Sequence, residues 1–138
     1  MKRPRHPVTK RQIDRALHNR AWDLGNRVLY RLCRRYPRHD AIDAVIAKIW
    51  LIGRAYSAAI ERSRKPTSKG DSFYVNEVAP RMRVVDHWLT ELRLARSPDH
   101  DAKRAAITVH KKLTGHFSAI VKQPEQKRSL ASKYLHFH

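Results

Sequence analysis

Cysteine is nearly absent from this chain of 138 residues, in which Cys33 stands alone. An internal disulfide is therefore excluded, and a lone thiol outside a CxxC spacing is more typical of a small buried apolar group than of a nucleophile. Nine histidines are present, but no Cys or carboxylate cluster accompanies them at a spacing typical of a metal site. Neither His110 with His116 nor His136 with His138 would share a helical face. The sequence thus predicts no metal and no other cofactor, and it indicates no small-molecule substrate.

Long apolar runs are also missing. The first residues, MKRPRHPVTKR, contain no apolar core of the kind that a signal peptide has. The most apolar stretch, residues 40–61, is interrupted by Asp43, Lys48 and Arg54, and is therefore too polar to span a membrane. Binding to an anionic membrane surface would need a basic amphipathic helix whose bulky apolar face is not used in the protein core. The sequence shows no such helix, which argues against a membrane surface as partner. We expect a cytoplasmic protein.

Acidic residues are scarce. There are 12 Asp and Glu against 30 Lys and Arg, which gives a formal net charge of +18. Such an imbalance destabilises a compact chain by self-repulsion unless a polyanion shares the charge, so DNA or RNA is the predicted partner and a solvated basic surface is the alternative. The excess is uneven: residues 1–39 contain 12 Lys/Arg and 2 Asp/Glu, so that +10 of the +18 lies there.

Alternating strand patterns, internal repeats and low-complexity segments are absent, and helical spacing of apolar residues prevails. We predict an all-α, single-domain bundle of five or six helices over residues 9–138, after a basic flexible arm over residues 1–8. The central helix is expected over about 40–62, with Asp40 as its N-cap and with Ile46, Trp50 and Leu51 widening its apolar face. The main face of that helix is formed by Ile42, Val45, Ile49, Ile52, Tyr56 and Ile60.

A long first helix is expected from Thr9 to Tyr36. Thr9 and Gln12 form a capping-box pattern at its start, and Pro37 ends it. Gly25, inside this helix, is expected to mark a close approach to the central helix. The stripe predicted to face the core comprises Ile13, Leu17, Ala21, Leu24, Val28 and Leu32.

Three further helical regions follow a loop over residues 63–71. The first begins at 71 or 72, is interrupted by Pro80 and resumes from Arg81 to Leu94. Residues 97–99, Ser-Pro-Asp, indicate the start of a helix that reaches Val121, and Pro124 indicates the start of the last one. Their predicted core residues are Val84, Val85, Trp88, Leu89 and Leu92, then Ala106, Val109, Leu113, Phe117 and Ile120, and finally Leu130, Tyr134 and Phe137.

The side of the first helix opposite its apolar stripe carries a ridge of arginines. Arg20, Arg27 and Arg34 are seven apart, and at about 1.5 Å rise per residue the ridge is roughly 21 Å long. Asp23 lies within it and could pair with Arg27. A solvated helix face usually mixes both signs, whereas this one is nearly all basic. The predicted nucleic-acid-binding residues are Arg20, Arg27, Arg31, Arg34, Arg35 and Arg38, with Arg64, Lys65 and Lys69 of the following loop.

Two Arg–His pairs open an enzymatic alternative. An Arg followed a few residues later by a His resembles the catalytic motif of helical HEPN-type nucleases. Arg34 with His39 and Arg104 with His110 match it in spacing. The resemblance implies metal-independent RNA cleavage, although His39 follows Pro37 and so lies outside the helix in which such a motif is expected.

The C-terminal residues 127–138, KRSLASKYLHFH, resemble a helix of the helix-hairpin-helix DNA glycosylase superfamily. In that family a Ser/Ala/Lys-containing helix ends in an aromatic-rich stretch, and a Pro and a catalytic Asp follow; Lys133 matches the helix position loosely. Residues 121–128, VKQPEQKR, lack the glycines of the hairpin, and the sequence reaches His138 without such an Asp. The resemblance implies a fragment or a variant without the base-excision residue.

These observations favour a non-catalytic nucleic-acid-binding protein that contacts the phosphate backbone. Readout of a specific sequence is not indicated, because no helix-turn-helix spacing, zinc finger or aromatic RNA-binding motif appears. By class, small basic helical proteins of this kind are similar to the helical subunits of larger nucleoprotein assemblies, such as the small subunits of CRISPR effector complexes. The alternatives are a glycosylase-like or nuclease-like domain and a module that binds an acidic protein partner.

Overall fold

The computed structural model describes residues 8–17, 20–63, 72–95, 100–122 and 127–138. Within these ranges the regular structure is helical and includes no β-strand, which confirms the all-α prediction. The α-helices of the described part are α1 (Lys10–Leu17), α2 (Arg20–Arg35), α3 (Ile42–Ala55), α4 (Val84–Leu94), α5 (His100–Val121) and α6 (Arg128–Phe137). None of the helices seen there is both long enough and apolar enough to cross a bilayer.

Helix α3 is the centre of the bundle, as predicted. Val45, Ile49 and Ile52 are buried on it, and the helix packs against α2, α6 and the segments that flank residues 64–71. Its predicted end near 62 is wrong, because the helix stops at Ala55. Ser57 has a φ of 55°, in the left-handed region, and this turns the chain into a short 3₁₀ helix, Ile60–Ser63.

A close backbone approach occurs at Gly53, while the approach of the first helix to the central helix that is expected at Gly25 is not formed. A Cβ added to Gly53 would lie 3.0 Å from the Cα of Ala59, so the turn after α3 folds directly back on the helix. A Cβ added to Gly25 would meet nothing within 4 Å. The expectation for Gly25 is therefore wrong, and this glycine faces open space.

The outer side of α3 is less buried than its composition predicts. Trp50 and Leu51 are exposed rather than part of a widened buried face, and Ile42 is exposed as well. The N-cap position is Ala41, without a side-chain hydrogen bond, and not Asp40. Of these three exposed residues Leu51 lies on the side of α3 towards α2, where an exposed apolar side chain remains between the two helices.

The first helical region begins as predicted: the Thr9 N–H donates to Gln12 Oε1 at 2.9 Å, and the Gln12 N–H donates to Thr9 Oγ1 at 3.3 Å. The structure describes helix on both sides of residues 18–19, which lie outside the described ranges. The predicted core stripe is wrong. Its members Ile13, Leu17, Leu24 and Val28 are each about half exposed or more.

Helix α2 packs through a different face. Leu29 and Cys33 are its buried residues, and Cys33 is the small buried group that its isolation predicts. Asn26 accepts a hydrogen bond from the Tyr56 hydroxyl at 2.7 Å, and the ring centroid of Tyr30 lies 4.8 Å from that of Phe137. Both faces of α2 have helical spacing, and these polar and aromatic partners decide which one is buried.

The second half of the chain follows its predicted pattern closely. In α5 the residues Val109, Leu113, Phe117 and Ile120 are buried, and in α6 so are Leu130, Tyr134 and Phe137. Around Pro80 the helix changes type instead of ending, from a π-helical turn (Tyr74–Val78) to a 3₁₀ turn (Ala79–Arg83) and then to α4. Proline lacks the N–H that an α-helix requires, which accounts for the change. Val84 is exposed, contrary to prediction, while Val85 and Leu89 are buried.

Several sequence predictions fall outside the described residues. They concern the arm over residues 1–7, most of the loop over 63–71, the Ser-Pro-Asp start of α5 and the Pro124 start of α6.

Candidate nucleic-acid interface

Four of the predicted arginines share one exposed strip of α2. Arg20, Arg27, Arg31 and Arg34 fall within an arc of about 60° when residues are placed at about 100° intervals around the helix. All four are exposed, and Leu29 and Cys33 point to the other side, into the core. We refer to these four residues as the arginine strip.

The charges of the arginine strip are not neutralised within the described residues. None of its guanidinium groups has a carboxylate within 4.0 Å there, and the pair expected between Asp23 and Arg27 is not formed. The strip spans about 21 Å from its first to its last residue. Exposed guanidinium groups without internal partners are available to bind phosphate oxygens, often through two parallel hydrogen bonds.

One end of the strip is positioned by α6. The Arg34 guanidinium carbon lies 5.8 Å from the ring centroid of Tyr30, within reach of a cation–π interaction. Tyr30 is held in turn by a hydrogen bond of 2.7 Å between its hydroxyl and Nε2 of His136. Arg34 is therefore more restrained than the other three arginines.

The remaining predicted contacts are not part of the strip. Arg35 is rotated about 40° beyond Arg31 around the helix, and its guanidinium carbon lies 5.9 Å from the ring centroid of Tyr36. Arg38 follows the helix and forms an exposed ion pair with Asp40 at 3.5 Å. Arg64, Lys65 and Lys69 lie outside the described residues.

A buried lysine fixes the chain where α2 ends. Lys48 is fully buried on α3, and its Nζ donates to the carbonyl oxygens of Tyr36 at 2.8 Å and Arg38 at 2.9 Å. A cation stabilises the carbonyl groups and the negative dipole end at a helix C-terminus. Burial lowers the pKa of this lysine below its usual range, while the Cys33, Asp86 and Asp40 side chains act in the opposite direction.

His39 holds the same segment from the other side. Its backbone N–H donates to Asp86 Oδ2 at 3.0 Å, its ring Nδ1 lies 2.6 Å from Asp86 Oδ1, and its Nε2 lies 2.6 Å from the Tyr134 hydroxyl. Burial raises the pKa of Tyr134, so this hydroxyl stays protonated and donates to Nε2. The imidazole proton is then on Nδ1 and is donated to Asp86.

The protonation of this network follows from its burial. Burial lowers the pKa of His39, the Asp86 hydrogen bond opposes this shift and the Lys48 charge adds to it, so that the net change is downward. The 2.6 Å contact with Asp86 is therefore a hydrogen bond from a neutral imidazole at neutral pH, and not an ion pair. Burial by itself would raise the pKa of Asp86, but the two hydrogen bonds from His39 and the nearby positive charge of Lys48 act in the opposite direction, and that pKa is lowered.

His138 completes a stack of rings in this region. Its ring centroid lies 4.4 Å from that of Tyr134 and 5.5 Å from that of His39, with nearly parallel planes. Its Nδ1 lies 3.0 Å from the Tyr134 carbonyl oxygen, and its Nε2 is buried without a partner among the described residues. Burial lowers the pKa of His138 to about 3.

This cluster fixes structure and does not face a substrate. His39 is 2% exposed and Tyr134 is 0% exposed, whereas Arg34 is on the surface, so Arg34 and His39 do not present a common site to RNA. In the other pair, His110 is half-buried and its Nε2 lies 2.9 Å from Ser132 Oγ. Across the described ranges, no group of three His, Cys, Asp or Glu residues is arranged to hold a metal ion.

Sequence reasoning did not identify Lys48, Asp86 and Tyr134 as a polar cluster. One signal was present: Lys48 is a charge placed among Val45, Ile49 and Ile52 on the apolar face of α3. A charge at such a position needs polar partners in the core.

Comparison of the chain with protein-family models, curated proteins and solved structures finds no match. The resemblance of residues 127–138 to a glycosylase helix therefore stays a prediction. The fold defines the class, an all-α helical bundle, and any function must be argued from the surface described above.

Proposed function

We propose that this protein binds nucleic acid without catalysis, through contacts between the arginine strip and the phosphate backbone. One observation carries the proposal: four exposed arginines on one face of α2 have no carboxylate partner within the described residues. The formal net charge of +18 supports the proposal, because it attracts a negatively charged nucleic acid at long range.

The dimensions of the strip suit a phosphate backbone. A duplex strand carries one charge about every 3.4 Å along its axis, so a strip of about 21 Å can follow a run of roughly six phosphates. Phosphate contacts position a protein without reading bases, and we therefore expect weak dependence on sequence. A cytoplasmic helical subunit that lines the nucleic-acid path of a larger nucleoprotein assembly would have these properties.

The experiment is a titration of fluorescently labelled nucleic acid, followed by anisotropy at several salt concentrations. If all four arginines neutralise phosphates, the slope of log K against log salt should be about −3.6 for duplex DNA, or about −2.8 for single strands. The affinities of duplexes that differ only in sequence should agree within a few-fold. Absence of binding at about 50 mM salt, or a strong preference for one sequence, would contradict the proposal.

The same samples test the enzymatic alternative. We expect labelled RNA and DNA containing an abasic site to remain intact during long incubation with the protein. Cleavage that is lost in His39→Ala or His110→Ala, with binding retained, would replace the proposed function by a nuclease.

A further inference from the structure

A groove runs between the N-terminal half of α2 and the C-terminal half of α3. It encloses about 290 Å³, at the lower end of small-molecule pockets, which is room for a few apolar side chains. Its lining includes Ala21, Trp22, Gly25 and Val28 of α2, and Leu51 and Ala55 of α3.

The groove is apolar and open to solvent. Trp22 is 47% exposed, Val28 is 54% exposed and Leu51 is 41% exposed, although each lies beside well-packed core residues of its own helix. The groove is deeper at Gly25, which has no side chain, and no atom lies within 4 Å of the place where its Cβ would be. Exposed apolar side chains that are grouped around one groove favour an interaction site, whereas single scattered ones do not.

The charges around the groove indicate what fills it. In helical projection Arg31 lies about 60° and Arg35 about 20° from Val28, so Arg31 borders the groove and Arg35 lies beyond its end, about 10 Å further along α2. Arg54 of α3 does not add to this border, because its side chain forms an ion pair with Glu61 at 3.0 Å and stacks on Trp50, which is not part of the groove lining. An occupant that combines apolar side chains with carboxylates would complement both the groove and its basic border.

Two other occupants fit less well. A second copy of this chain would bring a charge of +18 against an equal charge, with the same arginines on its own α2. A bilayer presents a broad surface, whereas this site is a concave groove between two helices with room for only a few side chains.

We propose that the groove between α2 and α3 docks an acidic amphipathic helix of a protein partner. The apolar face of that helix would place its side chains between Val28 and Leu51, above Gly25, in the manner of other helix-in-groove complexes. Its acidic residues would face Arg31 and Arg35. The inference rests on the groove, and it holds whether or not the arginine strip binds nucleic acid.

The test uses two synthetic peptides of identical composition, rich in Leu, Ala and Glu. One places its leucines on a single helical face, and the other disperses them. Binding of each labelled peptide to the full chain is followed by fluorescence anisotropy at about 150 mM salt, where exposed charges are screened over about 8 Å.

Glycine substitutions supply a matched pair of variants. Gly25→Leu places an apolar side chain in the groove, and nothing lies within 4 Å of its Cβ position. Gly115→Leu makes the same change on α5, where the Cβ position is equally open. If Gly25→Leu does not fold, Leu51→Ser serves in its place, with Leu94→Ser, an exposed leucine of α4, as its control.

We expect the amphipathic peptide to bind at least tenfold more tightly than the dispersed one. Gly25→Leu should weaken that binding at least tenfold and Gly115→Leu should leave it unchanged, while affinity for duplex DNA is the same in both variants. Equal affinity for the two peptides, or an undiminished affinity in Gly25→Leu, would overturn the proposal. Two other results would also overturn it. One is a dimer that Gly25→Leu abolishes while peptide binding survives. The other is binding to anionic vesicles of phosphatidylserine and phosphatidylcholine that Gly25→Leu abolishes while peptide binding survives.

Discussion

Acid should destabilise this protein well before its carboxylates are protonated, because it buries neutral histidines. The pKa of His138 is lowered by burial from 6.5 to about 3, and that of His39 is also lowered, chiefly by burial. As the pH falls below 6.5 the unfolded chain binds protons on these histidines before the folded chain does, so the stability decreases. The stabilisation associated with the neutral rings is present above pH 6.5 and is lost progressively below it.

The magnitude follows from linkage. One proton taken up only by the unfolded state changes the free energy of unfolding by about 1.4 kcal/mol per pH unit. From pH 6.5 to 5.0 His138 alone accounts for a loss of about 2 kcal/mol, against a total of about 5–15 kcal/mol for a typical domain. His39 acts in the same direction. The lowered pKa values of Asp86 and Glu61 also make the protein less stable as the pH falls. The pKa values of these groups in the unfolded chain are 3.8 and 4.5, so most of this loss occurs below pH 5.

The assay is urea unfolding followed by circular dichroism at pH 7.0 and 5.0 and constant ionic strength. His138→Phe keeps a ring stacked on Tyr134 and removes the titrating group, so its loss between the two pH values should be smaller by about 2 kcal/mol. His87→Phe, an exposed histidine of α4, should retain the full loss. A parent protein equally stable at both pH values, or a His138→Phe variant with the parent's loss, would refute the reasoning.

Four substitutions test the packing. Ile49→Asp places a carboxylate at a fully buried position of α3 and should cost about 5 kcal/mol or more, so a cooperative thermal transition at the parent's midpoint would be unexpected. Tyr134→Phe leaves Nε2 of His39 without a donor and should cost about 1–3 kcal/mol in urea unfolding; an unchanged midpoint would mean that this hydrogen bond is unimportant. Gly25→Ala should stabilise α2 by about 0.8–1 kcal/mol, because its Cβ position is open. Gly53→Ala should destabilise the protein, because its Cβ would lie 3.0 Å from the Cα of Ala59. Stability changes of the same sign in the two variants would contradict this difference.

The sequence predicts much of the fold because several helices have one apolar face only. In α5 the spacing of Val109, Leu113 and Phe117 leaves a single choice of buried side, and the structure confirms it. In α2 two faces have helical spacing, and the structure buries the face of Leu29 and Cys33 instead of the predicted one. Tyr30 pairs with α6 and Asn26 with Tyr56, across separations in sequence that periodicity cannot detect.

Part of the candidate site is predictable from the spacing of residues along one helix. The arginine strip depends only on helical geometry, so its exposure and alignment follow from residue spacing. The sequence does not predict the groove, because the helical spacing of residues such as Val28 and Leu51 places them in the predicted core. The burial of Lys48 and His39 depends on the Tyr36 and Arg38 carbonyl groups and on Asp86 and Tyr134, which only the tertiary fold brings together.

The central claim is that a defined face of α2, and not net charge alone, binds nucleic acid. Its most direct measurement compares the double variant Arg27→Gln/Arg31→Gln with a control double variant, Arg83→Gln/Arg104→Gln. The control removes the same charge from two exposed arginines that lie outside α2. Within the described residues none of these four side chains has an ion pair, and exposed charges contribute little to stability, so all variants should melt near the parent. The duplex salt slope should flatten by about two units in the α2 variant and much less in the control. Equal losses of affinity and slope in the two variants would contradict the claim, because a diffuse positive field would then account for all binding.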